Sequence, residues 1–171
     1  MQSSREEINS FSRFFGNIPV KEVMIRKFVT VFEDDELSIA QQRFVENNIY
    51  YLVVISHEKK LVGVLSRKYL YKTLAPRKIV SEEMDYDPDL IIEGDSFYEK
   101  ETLDSYILRN IMNRKPFALG PEDTLKTALL NMAKRNLSFI PIVDQKKEPC
   151  GILSHQEIIG YAVNLLKLSR D

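Results

Sequence analysis

Ser154-His155-Gln156-Glu157 is the stretch of this sequence best arranged to hold a small polar ligand. A serine at a helix start sets its hydroxyl beside backbone N–H groups that lack intrahelical partners, a setting suited to phosphate or another anion. The carboxylate three residues on returns to the same face. The same four residues also form a complete capping box, which needs no ligand. Both readings stand, capping alone and capping joined to a ligand contact. Elsewhere, Asp85, Asp87 and Asp89 begin like a calcium loop. Leu90 stands where that loop needs glycine, and Ser96 where it needs a bidentate acid, so the run reads as a solvated acidic linker. His57, His155 and the lone Cys150 show no zinc-ligand spacing. Cys150 reads instead as a small buried apolar residue. No glycine-rich phosphate loop, nucleophile elbow or placed pair of acids emerges. The sequence therefore points to binding without catalysis, and to no metal.

The elements that must carry these residues are legible from an internal repeat. A shift of 88 positions aligns residues 21–71 with 109–159 without a gap. Identical pairs include Met24/Met112, Asp35/Asp123, Leu37/Leu125, Ala40/Ala128, Asn48/Asn136, Lys59/Lys147, Gly63/Gly151, Leu65/Leu153 and Ser66/Ser154. Each copy reads as the same series. A short extended piece (residues 29–32 or 117–119) is followed by an acidic pair expected to favour a helix N-terminus. Apolar residues at i, i+3 and i+7 then mark the helix: Leu37, Ala40 and Phe44, or Leu125, Ala128 and Met132. Two strands follow (51–55 with 61–65, and 139–143 with 150–153), split by the charged turns HEKK and QKKE. A last helix begins after each serine and runs long in the second copy. The expected fold is thus α/β (α+β): two β-α-β-β-α repeats with pseudo-two-fold symmetry. A unit of about 50 residues buries too little surface to be comfortable alone, so the two should pack sheet to sheet.

The expected organisation is an N-terminal helix and lead-in over 1–19, a first repeat over 20–75, an acidic insert over 76–104, and a second repeat over 105–171. Ser4 and Glu7 have capping-box spacing, and Ile8, Phe11, Phe14 and Phe15 form an apolar stripe that must dock on the body or a second subunit. Residues 82–104 hold ten acidic side chains against Lys100 alone, while the whole chain is nearly neutral at −1. The remaining, mildly basic body is either ordinary solvated surface or a lure for phosphates. Scattered basic residues and a pI near 6.2 disfavour nucleic-acid binding. No run approaches the roughly 18 apolar residues needed to span a bilayer, and the N-terminus lacks the pattern of a secretory signal. Together with a single cysteine, this suggests a cytoplasmic protein without membrane insertion.

Segments SFIPIVDQKKEPCGILSHQEII and YYLVVISHEKKLVGVLSRKYL, each preceded by VKEVMIRK or LRNIMNRK, resemble the signature of cystathionine-β-synthase (CBS) domains. Paired CBS domains are called Bateman modules, and the resemblance implies a regulatory pair that associates into dimers. It also implies an adenosine-containing ligand such as AMP, ADP, ATP or S-adenosylmethionine in clefts between the repeats, with no cofactor required. In the family pattern a Ser or Thr after Gly contacts ribose or phosphate, and an Asp three residues later accepts from the ribose hydroxyls. Ser154 and Glu157 take those places in the second copy, with Glu one methylene longer than Asp. In the first copy they fall to Ser66 and Tyr69, and Tyr69 has no carboxylate, so the second copy is the expected ribose site. Phe117 and Ala118, or Val29 and Thr30, would enclose adenine, joined by Ser138 and Pro141. Arg114, Lys115, Arg135 and His155 are candidates for polyphosphate, with Arg26 and Lys27 their weaker counterparts. Packing and solvated charge are the plainer roles for each of these taken singly. Two functions follow: a ligand-sensing module that signals to a regulated protein or across a homodimer, or a ligand-free dimerisation module with degenerate sites.

Overall fold

The computed structural model describes residues 13–68 and 103–168. The first half contains a 3-10 turn at Val20–Glu22, β1 (Thr30–Phe32), α1 (Leu37–Glu46), β2 (Tyr51–Ile55) and β3 (Leu61–Ser66). The second contains a 3-10 turn at Leu108–Asn110, α2 (Leu125–Arg135), β4 (Phe139–Val143), β5 (Pro149–Ser154) and α3 (His155–Leu168). Strand β2 pairs parallel to β1 and antiparallel to β3, and β4 pairs antiparallel to β5. The two hairpins share one register at the 88-residue offset: Tyr51 faces Ser66 as Phe139 faces Ser154. The irregularity after Val54 recurs after Ile142. In the second half the first strand shrinks to a single parallel bridge, Leu119 to Ile142. Gly120 and Pro121 stand there in place of Phe32 and Glu33, and both residue types are poor in strands.

Apolar phase explains the helices. Leu37, Ala40 and Phe44 are fully buried on α1, as are Leu125, Ala128 and Met132 on α2. The acidic pairs act differently from the expectation that they would charge the helix ends. The Asp35 carboxylate accepts from the Phe32 N–H at 2.8 Å and that of Asp123 from the Gly120 N–H at 2.7 Å, fixing the turn before each helix. Thr124 is the residue that caps α2, accepting from the Thr127 N–H at 3.1 Å. Asn48 and Asn136 end the helices with φ of 47° and 52°, and Lys59 and Lys147 turn the hairpins with φ of 62° and 63°. Asparagine tolerates that left-handed region better than most residues.

Each half is completed by the other's lead-in. Ile18, Val20, Val23 and Met24 lie in one core with Leu125, Ile140 and Leu153 of the second half. Leu103, Leu108, Ile111 and Met112 lie in the core of the first half with Leu37, Phe44 and Leu52. The hydrogen bonds are exchanged pair for pair. Val20 and Lys21 donate to the carbonyls of Asp123 and Pro121, and Leu125 donates to that of Ile18. Leu108 and Arg109 likewise donate to Asp35 and Glu33, and Leu37 to Tyr106. Each helix start therefore finds a carbonyl from the opposite copy for one of its orphan N–H groups. Between the halves, Val53, Phe139 and Ile152 form a third apolar cluster. Two equivalent-position pairs meet on the pseudo-two-fold: Tyr51 stacks on Phe139 with centroids 4.2 Å apart, and Lys60 reaches Glu148 at 3.2 Å.

Residues 13–17 are helical, and Phe15 packs on the core of the second half whereas Phe14 is exposed. Ile8 and Phe11 of the expected stripe lie outside the described residues, as does the insert up to residue 102. Cys150 is half-buried, and burial first, then Asp144, pushes its thiol upward.

The exchange is testable. A Cβ at Gly151 would stand 2.5 Å from the Met24 sulfur and 3.0 Å from the Ile25 carbonyl oxygen. Gly151→Ala should therefore cost about 1–3 kcal/mol in chemical denaturation. In double-mutant cycles it should couple to Met24→Ala by roughly 0.5–3 kcal/mol and add simply with Met112→Ala. The reverse pattern would mean that each lead-in packs on its own copy.

Candidate functional site

The larger cleft, about 370 Å³, opens where the two halves meet. Its floor holds Val64, Tyr51, Phe139 and Pro141, and Pro116 and Phe117 form one wall with Leu137. Ser66, Asn113, Asn136 and Ser138 supply the polar groups. Local structure explains their placement. Asn113 is held at the cleft edge because its backbone exchanges two hydrogen bonds with Val64, at 3.0 and 3.1 Å. Asn136 is the left-handed cap of α2. The Ser138 carbonyl accepts from the His155 N–H at 3.3 Å. Arg135 lies 4.6 Å from the centre of the Phe117 ring, and its Nε donates to Asn131 Oδ1. Every side chain lining the cleft is formally uncharged. Such a space suits a flat, partly apolar group with hydroxyls at its edge.

The structure divides the expected site residues. Phe117, Ser138 and Pro141 share this cleft, and Ser66 of the first copy joins them. Ser154 and Glu157 do not line it. Ser154 is buried, its Oγ accepts from the Gln156 N–H at 3.1 Å, and Glu157 Oε2 accepts from the Ser154 N–H at 2.8 Å. The Glu157 bond is one arm of a capping box, and the Ser154 hydroxyl caps the N–H two residues on rather than three. The approximate two-fold gives Ser154 the place beside residues 25–29 that Ser66 has beside 113–117. Ala118 is half-buried outside the lining. Arg114 and Lys115 are exposed between the lining residues Asn113 and Pro116, and Arg114 is tied to Asn110 Oδ1 and the Arg109 carbonyl. His155 is exposed at the start of α3.

Of the weaker set, Val29 is half-buried on the core of the first half, and Arg26 and Lys27 are exposed. Tyr69 lies outside the described residues. Thr30 lines a second, smaller cleft of about 290 Å³ with Phe32, Ile55, Lys59, Glu148 and Pro149. The sequence reading missed Tyr51, Val64, Asn113, Pro116, Asn136, Leu137 and Phe139 as lining residues. Size and polarity differences between the copies would have pointed to two lining positions, Asn113 against Ile25 and Pro116 against Phe28. Among the described residues no group of three or more His, Cys, Asp or Glu side chains could hold a metal ion, and no helix is long and apolar enough to cross a membrane.

A CBS domain family model matches residues 20–76 and 108–164. The chain belongs to the CBS domain family. Its two matched segments fall on the two halves, and the lead-in of the second supplies Asn113, Pro116 and Phe117 to the larger cleft. Among curated proteins, this CBS pair is 27% identical to the uncharacterized protein MJ1426 of Methanocaldococcus jannaschii, over 84% of this chain and 91% of that one. It is 22% identical to a homoserine O-acetyltransferase of Methanococcus vannielii over 86% of this chain, but spans only a quarter (25%) of that protein's length. Among solved structures, a CBS domain-containing protein from Bacillus anthracis superposes with a TM-score of 0.69 and 21% identity, over 89% of this chain and 97% of that one. The CBS domain pair of protein MJ0100, solved with 5′-methylthioadenosine and S-adenosyl-L-methionine, superposes at 0.64 and 20% identity, over 84% and 98%.

Beside the second cleft, the exposed ring of His57 stacks on Phe32 with centroids 4.9 Å apart, and its Nε2 lies 2.9 Å from Asp34 Oδ2. The hydrogen bond that His57 donates to Asp34, then the Asp34 charge, raises the His57 pKa, and the same bond lowers that of Asp34. The His57 contribution is complete below the ordinary histidine value and fades as pH rises through the raised one. The Asp34 contribution holds above the ordinary aspartate value and fades as pH falls through the depressed one. In an NMR titration, His57 should titrate above the ordinary histidine value, and Asp34→Asn should bring it down. An unchanged midpoint in Asp34→Asn would disprove the pairing.

Proposed function

We propose that this CBS pair is a regulatory module that binds one adenosyl ligand, a nucleotide or a related metabolite, in the larger cleft, and performs no chemistry of its own. The observation that carries this reading is the composition of that cleft. Phe117, Pro116 and Pro141 offer apolar surface for a purine, and Ser66, Ser138, Asn113 and Asn136 offer partners for the ribose hydroxyls and ring nitrogens. Two features set the expected order of preference. An uncharged lining favours a nucleoside or thioether over a triphosphate, since nothing in it compensates several buried charges. Arg135, Arg114 and Lys115 stand nearby in solvent, where they can meet a single phosphate extending outward. Support also comes from MJ0100, whose CBS pair has the same fold and was solved with two adenosyl compounds.

Binding would act through geometry, because the cleft takes Ser66, Val64 and Tyr51 from one half and the rest from the other. A ligand that grips both halves favours one angle between them, and a homodimer partner or a regulated protein reads that angle.

A thermal-shift panel of 5′-methylthioadenosine, S-adenosylmethionine, AMP and ATP tests the proposal. At a hundredfold excess over the dissociation constant, a ligand should stabilise the fold by about 2.7 kcal/mol. Phe117→Ala should weaken that ligand by about 1–3 kcal/mol. No shift across the panel would end the nucleotide reading.

A second reading, a ligand-free dimerisation module, is favoured by α3. Ile159, Val163 and Leu166 are exposed at 62%, 42% and 66%, spaced to form one stripe, while Ile158 and Tyr161 pack on the core. An apolar stripe of that kind suits a second copy of the chain. Ile159→Glu should then halve the mass seen by light scattering. A mass unchanged by the substitution would leave that face without such a role.

A further inference from the structure

The approximate two-fold gives the larger cleft an equivalent place across the seam, and Phe28 packs against the seam cluster on that side. The counterparts of the floor residues Pro141, Tyr51 and Val64 are Val53, Phe139 and Ile152 at the 88-residue offset. These three form the seam cluster, and the half-buried Phe28 packs against it. The counterpart of Phe28 is Pro116, which lines the open cleft as a wall. A second replacement acts in the same direction: Tyr50 stands where the open cleft has the small hydroxyl of Ser138.

We infer that Phe28 is a built-in plug, an aromatic side chain of the protein occupying the place that a planar ligand would take in the equivalent cleft. The module therefore offers one ligand site per chain, on the side of Pro116. A phenyl ring is flat and apolar like a purine, so it satisfies the same floor without the polar partners a nucleoside needs. On that side Ser154 and Glu157 are spent on the start of α3, Ser154 Oγ accepting from the Gln156 N–H and Glu157 from the Ser154 N–H.

The inference rests on the reading that the open cleft takes a nucleoside, and its test separates the two. The probe is adenosine, followed by methyl NMR and calorimetry on the intact chain. Leu137 reports the open cleft, and its counterpart Ile49 the plugged one. In the wild type, adenosine should shift Leu137 and leave Ile49 still, with one ligand per chain. Phe28→Ala should add a saturable response at Ile49 and raise the stoichiometry to two. The reciprocal variant, Pro116→Phe, should weaken binding at Leu137 about a hundredfold. A saturable response at Ile49 in the wild type overturns the plug, as does a silent Ile49 in folded Phe28→Ala at millimolar adenosine. Undiminished binding in Pro116→Phe overturns it as well, by breaking the equivalence of the two positions. Silence at Leu137 in the wild type, with a gained response at Ile49 in Phe28→Ala, removes the nucleoside reading of the open cleft and keeps the plug.

Discussion

Neither half of this protein owns a complete core, and the exchange of lead-in segments is the interaction on which the rest depends. Met24 fills the space above Gly151 and Met112 that above Gly63. The backbones of Ile25 and Asn113 pair with β5 and β3 of the opposite copies. A half of about 50 residues buries too little apolar surface to offset the conformational entropy of folding. Contributing a buried turn to each other's core, with helix-start N–H groups satisfied across the exchange, makes the two halves one cooperative unit. The seam of Val53, Phe139 and Ile152 then closes a body already tied at both ends.

Most of the fold was legible in the sequence because most of the identities between the copies have structural causes. Asp35 and Asp123 fix turns, Asn48 and Asn136 hold a left-handed cap, and Lys59 and Lys147 a left-handed hairpin. Leu37, Ala40 and Leu65 are buried with their counterparts. Gly63 and Gly151 are small because a methionine from elsewhere needs the room. What stayed hidden was the exchange itself. A symmetric swap leaves the offset, the apolar phase and every identity unchanged, so alignment reveals which residues are equivalent but not which copy a lead-in touches. The shrunken first strand of the second half was likewise masked, because Phe117 and Leu119 look apolar enough for a strand until Gly120 and Pro121 interrupt it.

The candidate site was legible in residue type and not in grouping, for the same reason. Phe117, Ser138 and Pro141 share a cleft, as their positions around β4 suggest. The serine that faces them comes from β3 of the first half, because the exchange carries residues 113–117 across to Val64. Motif order along the chain pairs Phe117 with Ser154, whereas the folded topology pairs it with Ser66. A carboxylate at residue 157 therefore has no bearing on the larger cleft, and the question of Glu against Asp, which the sequence raised, concerns the opposite side of the molecule.

Divergence between duplicated copies carries more functional information than their agreement. Agreement preserves caps, turns and core volume, which both halves need in order to fold. At positions 28/116, 50/138 and 25/113 the pairs are Phe/Pro, Tyr/Ser and Ile/Asn, large and apolar or aromatic on one side, smaller or polar on the other. All three of the smaller or polar members line the larger cleft. An unplugged symmetric pair would take two ligands with equal pull on either side of the seam. With Phe28 as the inferred plug, one filled and one open cleft would make the response to the proposed ligand one-sided. A ligand that gripped Ser66 from the first half and Phe117 from the second would then work against the Phe28 side, with the Tyr51–Phe139 stack on the two-fold between them. Only a difference in affinity between two such arrangements could drive a movement, so on the proposed function the uncharged lining of the open cleft, rather than the basic residues around it, would set how strongly the module responds.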